Sequence, residues 1–428
     1  TAAPAIRVRG TTSLTGGNDP LVIIDGVFGD LNMLNAISPA DIENFTVLKD
    51  ASETAQYGSR GASGVIVVTT VKGKNGVKSM SYDGSFGIES VYKNLDMLSA
   101  AEYRSVAQER GISILDKGAN TNFIEEMQRT GYTQNHRLSF SNGNDDSNYR
   151  ASIGVIDQKG ILKNNSMRNY TAKLDAMQDM FKNKLKIEFG MFGSLKQSRY
   201  INDYQKTFYS AASFNPTFPN VVNPETGMWD ENANANEVQN PLGRLSINDR
   251  ENNVFINTNA RITWSIIPDL KLSAFGSYTY NVKENMKYIP STIKAGLSNR
   301  GEAYRGDNKS QSLLGNLMLT YKKAFGKHYI NALGLAEVQR IINTGFGANV
   351  HGFSSDDFGY NNLQAGAVLK WGDNTSYHNN PSLSSFMGRV NYSYADKYIV
   401  TLNARTDGSS KVGANNKWAF FPSASVAW

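Results

Sequence analysis

Cysteine is absent from all 428 residues. That excludes disulfide scaffolds, thiolate metal centres, iron–sulfur clusters and cysteine nucleophiles together. Long apolar runs are absent too: the longest are short stretches such as 21–24 and 65–68, whereas a membrane-crossing helix takes about 20 apolar residues. A mean hydropathy of −0.42 leaves a membrane β-barrel open, because barrel strands alternate apolar with polar residues and average out as hydrophilic. The 44 basic residues outnumber the 38 acidic ones, but they are scattered and form no run of five. Nucleic acid is therefore excluded as an expected partner. Proline is scarce, at 11. No secretory leader opens the chain. Thr1 stands inside sequence that already has the texture of a folded domain and Trp428 closes a strand pattern, so the chain is expected to continue at both ends.

What is present is aromatic and glycine-rich: 21 Tyr, 20 Phe, 5 Trp and 38 Gly, with abundant Asn. This mixture favours strands joined by many turns and wet loops. Residues 1–76 have the pattern of a small mixed α+β domain. A strand at 21–24 runs into the Asp25-Gly26 turn. Ser38 and Pro39 mark a helix start, 45–48 a strand, and 50–57 a short helix ended by Gly58. Residues 65–70 are apolar on both faces, as in a fully buried strand.

Residues 79–428 show helical periodicity only at 98–110 and 123–130. The rest is a series of amphipathic strands with a period of two. Tyr398, Val400, Leu402 and Ala404, for example, alternate with Thr401, Asn403, Arg405 and Asp407. Twelve such strands are expected, near 79–91, 134–142, 147–156, 166–177, 183–195, 251–265, 269–283, 309–322, 328–341, 383–394, 397–407 and 419–428. Their apolar faces run about nine to eleven residues, which suits a tilted bilayer crossing. Short connections such as Asn142–Ser147 and 395–396 alternate with long ones at 92–133, 196–250, 284–308 and 342–382; only 157–165 and 408–418 are shorter among the latter. That alternation marks an outer-membrane barrel with tight periplasmic turns and long extracellular loops. Trp264, Tyr321, Tyr329, Tyr392, Tyr394 and Tyr398 cluster beside the short turns, where amphipathic rings prefer the membrane interface.

Several ordered motifs carry a resemblance. They are Ile6-Arg7-Val8-Arg9-Gly10, Leu21-Val22-Ile23-Ile24-Asp25-Gly26, Val47-Leu48-Lys49-Asp50-Ala51 and Tyr57-Gly58-Ser59-Arg60-Gly61-Ala62-Ser63-Gly64. They resemble the plug of TonB-dependent transporters, in the SusC/RagA version found in Bacteroidetes, with Asp25, Gly26, Tyr57, Gly58, Gly61 and Gly64 as its motif positions. The segment from Asp407 to Trp428 is similar to that branch's barrel. The resemblance implies a transmembrane antiparallel β-barrel of about 22 strands, of which 79–428 would supply roughly half, and a plug, 1–76, in its lumen. It implies a bacterial outer-membrane location. It also implies import of oligosaccharides or peptides driven by a TonB–ExbB–ExbD complex, a SusD-like surface lipoprotein as partner, and room for a dimer of that transporter–lipoprotein pair. Arg7, Arg9 and Arg60 would form plug–wall salt bridges that pulling could release. The alternatives are a plugged receptor or passive channel without energised import, or a secreted all-β glycan-binding protein or glycosidase.

Chemistry is otherwise sparse. The 58–64 glycine loop follows a helix and lacks the lysine of a phosphate loop, so its glycines are assigned to turns. His136, His328, His351 and His378 have no metal spacing. Asp145-Asp146 and Asp356-Asp357 are candidate loop Ca²⁺ ligands; otherwise no cofactor is expected. No serine elbow, HExxH or nucleophile–base pair stands out, so no enzymatic activity is expected. The aromatic loop 196–250 is the candidate substrate-binding loop, with Trp229 and Tyr204 as its chosen contacts, since aromatic faces and amides bind sugar rings or peptide side chains.

Overall fold

The computed structural model describes residues 6–8, 10, 18–73, 76, 78–233 and 237–428. Two sheets organise them. The first is small and mixed: β1 (Leu21–Ile24), β2 (Val27–Gly29), β3 (Ile42–Leu48) and β4 (Val65–Thr70) lie in the order β2-β1-β4-β3. β1 pairs parallel with β4, the other neighbours antiparallel. Asp25 and Gly26 form a two-residue hairpin with φ of 51° and 90°, the conformation for which Asp-Gly is suited. The Asp25 carboxylate also accepts from the Thr70 amide at 3.1 Å and hydroxyl at 2.6 Å, tying the hairpin to β4.

The second sheet is an antiparallel meander. Its strands are β5 (Ser79–Glu89), β6 (Gly131–Gly143), β7 (Ser147–Lys159), β8 (Ser166–Met180), β9 (Leu185–Tyr200), β10 (Asn248–Ile267), β11 (Leu270–Ile289), β12 (Glu302–Phe325) and β13 (His328–Phe353). Two small strands, β14 (Gly366–Val368) and β15 (Asn374–Asn379), pair onto β13. The meander continues with β16 (Ser382–Tyr394), β17 (Tyr398–Ser409) and β18 (Trp418–Ala427). All twelve expected strands are present. Most extend further on the long-connection side, so that the 284–308 and 342–382 connections shorten.

Burial inverts the usual rule. On β17, Thr401, Asn403, Arg405 and Asp407 are buried while Leu402 is exposed. On β12, Leu313, Leu317 and Leu319 are exposed and Leu314 is buried. The apolar face of the large sheet points outward, as lipid contact requires. The small sheet lies against the other face: Val22, Ile24, Val27, Ile66 and Val68 share one core with Phe192, Phe255, Phe275 and Leu314 of β9–β12. Exposed Phe181, Trp264, Phe325, Tyr329, Tyr394 and Tyr398 gather at the short-turn rim. Among the described residues no helix is long and apolar enough to cross a membrane.

Several local expectations need correction. The 38–41 helix start is a single 3-10 turn, Pro39–Asp41, with no Ser38 side-chain cap. The helix expected over 123–130 stops at Glu126, where the chain turns to bridge Gln128 to Leu162. The 98–110 helix spans Ala100–Glu109, with Ser99 and Glu102 forming a reciprocal cap. A ten-residue helix, Tyr204–Ser213, is an addition to the expected elements; it buries Thr207, Ser210 and Ala211 and packs Phe208 and Ala212 on the loop core. The helix Leu31–Ala36, capped by Asp30, was likewise not expected.

Candidate functional site: the plug–wall interface

The register of the large sheet builds the site before any contact is considered. Glu337 on β13 stands opposite Ser385 on β16, which stands opposite Asp407 on β17. Arg405, two residues along β17, shares that inner face. A row of ionisable groups is therefore imposed on the wall by strand pairing alone.

The small domain meets this row with residues 56–60. Arg60 donates to Glu337 and, at 2.7 Å, to the Gln339 side-chain oxygen. Arg405 donates to Asp407 at 2.7 Å, to the Gln56 carbonyl at 2.6 Å and to Glu337 at 3.5 Å. The Ser59 amide points to Asp407 at 3.3 Å. Arg405, Glu337 and Asp407 are all buried, Arg405 being 1% exposed. Two cations thus face two carboxylates out of water, the arrangement in which breaking a pair is costly. Burial lowers the Arg60 guanidinium's pKa, and Glu337 opposes that shift. The Arg60 guanidinium also sits 4.1 Å over the Phe28 ring, itself edge-on to Tyr57.

Gly58 is where backbone meets wall. Its φ is +58°, and a Cβ there would lie 1.9 Å from an Asp407 carboxylate oxygen. Gly58→Ala is therefore expected to weaken seating of this domain by about 1–3 kcal/mol through backbone strain alone, read as an increased rate of proteolysis within 50–65. Gly61 and Gly64 serve interior packing instead: a Cβ would strike Thr54 and Val8, respectively.

A second ion cluster lies on the opposite part of the sheet, and sequence reasoning missed it. Asp41, 4% exposed, accepts from Arg137 of β6, lies 3.9 Å from Arg150 of β7 and accepts from Ser152 at 3.4 Å. Locally Asp41 is only the acid of the Pro39–Asp41 turn. Its partners are distant in sequence, and only the fold pairs them. The polarity is the reverse of the first cluster: here the small domain supplies the acid and the wall the bases.

Beside the first cluster is a luminal cavity of about 310 Å³. Phe28, Asp30 and Arg60 line one side, and Phe255, Asn281 and Gln339 line part of the other. The Asn281 side-chain oxygen is shielded and has no hydrogen-bond partner among the described residues.

Other candidate residues lie elsewhere. Arg7 is exposed and Arg9 lies outside the described residues. Trp229 packs its ring on Gly243 and belongs to the loop core around Phe214, Phe218 and Leu242. Tyr204 is exposed and stacks on Phe208 at 6.2 Å. The structure does not bring these two together in one pocket, and neither lines the 730 Å³ loop cavity bounded by Tyr103, Phe123 and Phe214. In the same loops Arg104, bidentate on Asp116, holds that carboxyl down at about 2. Asp356 accepts from Tyr288 and from Ser291, and Asp357 from Ser355. Asp146 stands in a turn organised by Asn144, with Asp145 beside it. Among the described residues no three His, Asp or Glu side chains gather as a metal site.

Comparison with known proteins follows this geometry. Residues 1–65 match the TonB-dependent receptor plug domain. TonB-dependent receptor SusC of Bacteroides thetaiotaomicron is 34% identical over 99% of this chain, which covers 45% of it. TonB-dependent receptor P3 of Formosa agariphila is 33% identical over 99% of this chain, which covers 42% of it. The chain is similar to these TonB-dependent receptors, SusC among them, over almost its whole length. The solved RagAB peptide transporter superposes with a TM-score of 0.82 at 21% identity, over 98% of this chain and 52% of that one, and shows the same fold. The chain spans less than half the length of the curated relatives it matches. It is a partial outer-membrane β-barrel with a plug against its inner face.

Proposed function

We propose that this chain forms the plug and about half of the barrel of an importer that carries oligosaccharides or peptides across the bacterial outer membrane. The observation that carries the reading is the plug seated on a polar wall by two buried ion clusters of opposite polarity. The plug also packs Val22, Ile24, Val27, Ile66 and Val68 on Phe192, Phe255, Phe275 and Leu314, and apolar packing of that kind is not directional. Buried ion pairs, by contrast, hold one geometry and are lost together when the plug is displaced. An energised TonB–ExbB–ExbD complex supplies the pull, and a SusD-like lipoprotein presents substrate at the long-loop end. The likeness to the RagAB peptide transporter supports the peptide class, and the oligosaccharide class rests on what the resemblance of the plug motifs implies. The luminal cavity, with Phe28, Asn281 and Gln339, offers an aromatic face and directed amides suited to either.

Native mass spectrometry of the protein extracted from outer membranes in detergent tests this. The expected result is a barrel carrying a lipoprotein and a bound oligosaccharide or peptide, whose mass names the substrate class. A detergent-independent species without lipoprotein or ligand would contradict the reading. Gln339→Ala is expected to lower retained ligand several-fold, since a direct hydrogen bond contributes about 0.5–1.5 kcal/mol.

A further inference from the structure

We propose that the outward groove at the short-turn rim of β9–β11 is a binding site for one phospholipid with an anionic headgroup. The groove has a volume of about 490 Å³ and is lined by Phe181, Lys184, Leu185, Ile262, Trp264 and Leu272, with Ala274 at its floor. Strand register sets the lining. Leu185 stands opposite Trp264 and Trp264 opposite Leu272, while Ile262 faces Ala274. Between larger neighbours, Ala274 leaves the depression.

The lip of the groove is a strained turn. Phe181, Lys182 and Asn183 hold φ of 53°, 56° and 63° in succession, a region that bulky residues rarely adopt and that points to a functional constraint. The turn holds Phe181 70% exposed, over apolar neighbours and with no protein covering it among the described residues. The turn is fixed by the Ser265 amide donating to the Lys184 carbonyl at 2.7 Å.

Charge selects the occupant. Lys184 lines the groove and is exposed, and Lys182 is exposed two residues earlier in the same turn, at the level where aromatic side chains mark the membrane interface. The nearby acid Asp269 is held by Lys323 at 2.8 Å. An apolar trough bordered by Lys184, with Lys182 in the turn that forms its lip, matches an acyl chain ending in a phosphate, and the local positive charge favours a net-negative headgroup.

The test is native mass spectrometry of the full-length membrane protein, delipidated in detergent and then offered phosphatidylglycerol or phosphatidylcholine at equal concentration. One phosphatidylglycerol is expected to persist at collision energies that strip other lipids, with roughly fivefold preference over phosphatidylcholine. Lys184→Gln, on the exposed turn, is expected to remove that preference without affecting folding. Trp264→Ala is expected to remove the persistent adduct, while Leu402→Ala, outward on β17, leaves it. Equal retention of the two lipids by the unaltered protein, or a persistent adduct unchanged in both groove variants, would overturn the proposal.

Discussion

Asp41→Ala is expected to loosen the plug by about 5 kcal/mol, the upper part of the range for breaking a buried ion pair. Among the described residues the variant leaves Arg137, 4% exposed, with Asp83 at 3.8 Å as its acidic partner, and that carboxylate is more than half exposed and screened. Arg150 loses the same partner. Lys173, paired with Asp175 on the same inner face, adds a third cation nearby. Removing Asp41 therefore leaves Arg137 and Arg150 short of a buried counter-charge, while Lys173 keeps Asp175. Planar-bilayer conductance of the full-length protein in a urea series reads this directly. The altered protein should open at distinctly lower urea than the unaltered one. Arg137→Ala in the Asp41→Ala background should recover part of the loss, because it removes the stranded charge. Recovery is the signature of an ion pair; a merely steric role for Asp41 would make the two losses add.

Arg60→Ala is expected to cost about 3 kcal/mol, the lower end of the same range. The difference follows from what remains. Arg405 still lies 3.5 Å from Glu337 while holding Asp407 at 2.7 Å, so one cation serves two carboxylates in place of two. The Phe28 stacking is lost as well. Arg60→Lys should restore only part of the stability, because an ammonium cannot reach Glu337 and Gln339 as the planar fork does. Glu337→Gln combined with Arg60→Ala should cost less than the sum of the two changes. Purely additive losses in conductance onset would show that the pair is not coupled.

The barrel strands were legible because lipid outside and polar plug inside impose a period of two on every strand. Val254, Ile256, Ala260, Ile262 and Trp264 declare one face of β10 without any structure. Alternation alone does not say which face is buried. On β17 the inward set proved to be Thr401, Asn403, Arg405 and Asp407, a choice that only a membrane or an enclosed polar domain explains. The plug motif placed Gly58 and Arg60 in sequence, but their wall contacts lie far along the chain: Gly58 meets Asp407, and Arg60 and Glu337 are separated by 277 positions. Asp41 was illegible for the same reason. Its local context, after Pro39, favours a helix start, and its role arises only when β6 and β7 pair beside it. Trp229 shows what loop composition leaves open. An aromatic in a long loop suggested a ligand platform, whereas the loop has its own apolar core and uses the ring to cover Gly243.

The most direct test of the central claim is uptake by whole cells of a labelled oligosaccharide or peptide identified on the purified complex, measured with and without a protonophore. An energised importer predicts that uptake collapses when the proton-motive force is removed while binding at the cell surface stays unchanged. Uptake that continues at the same rate without the proton-motive force would contradict the account and make the barrel a passive channel.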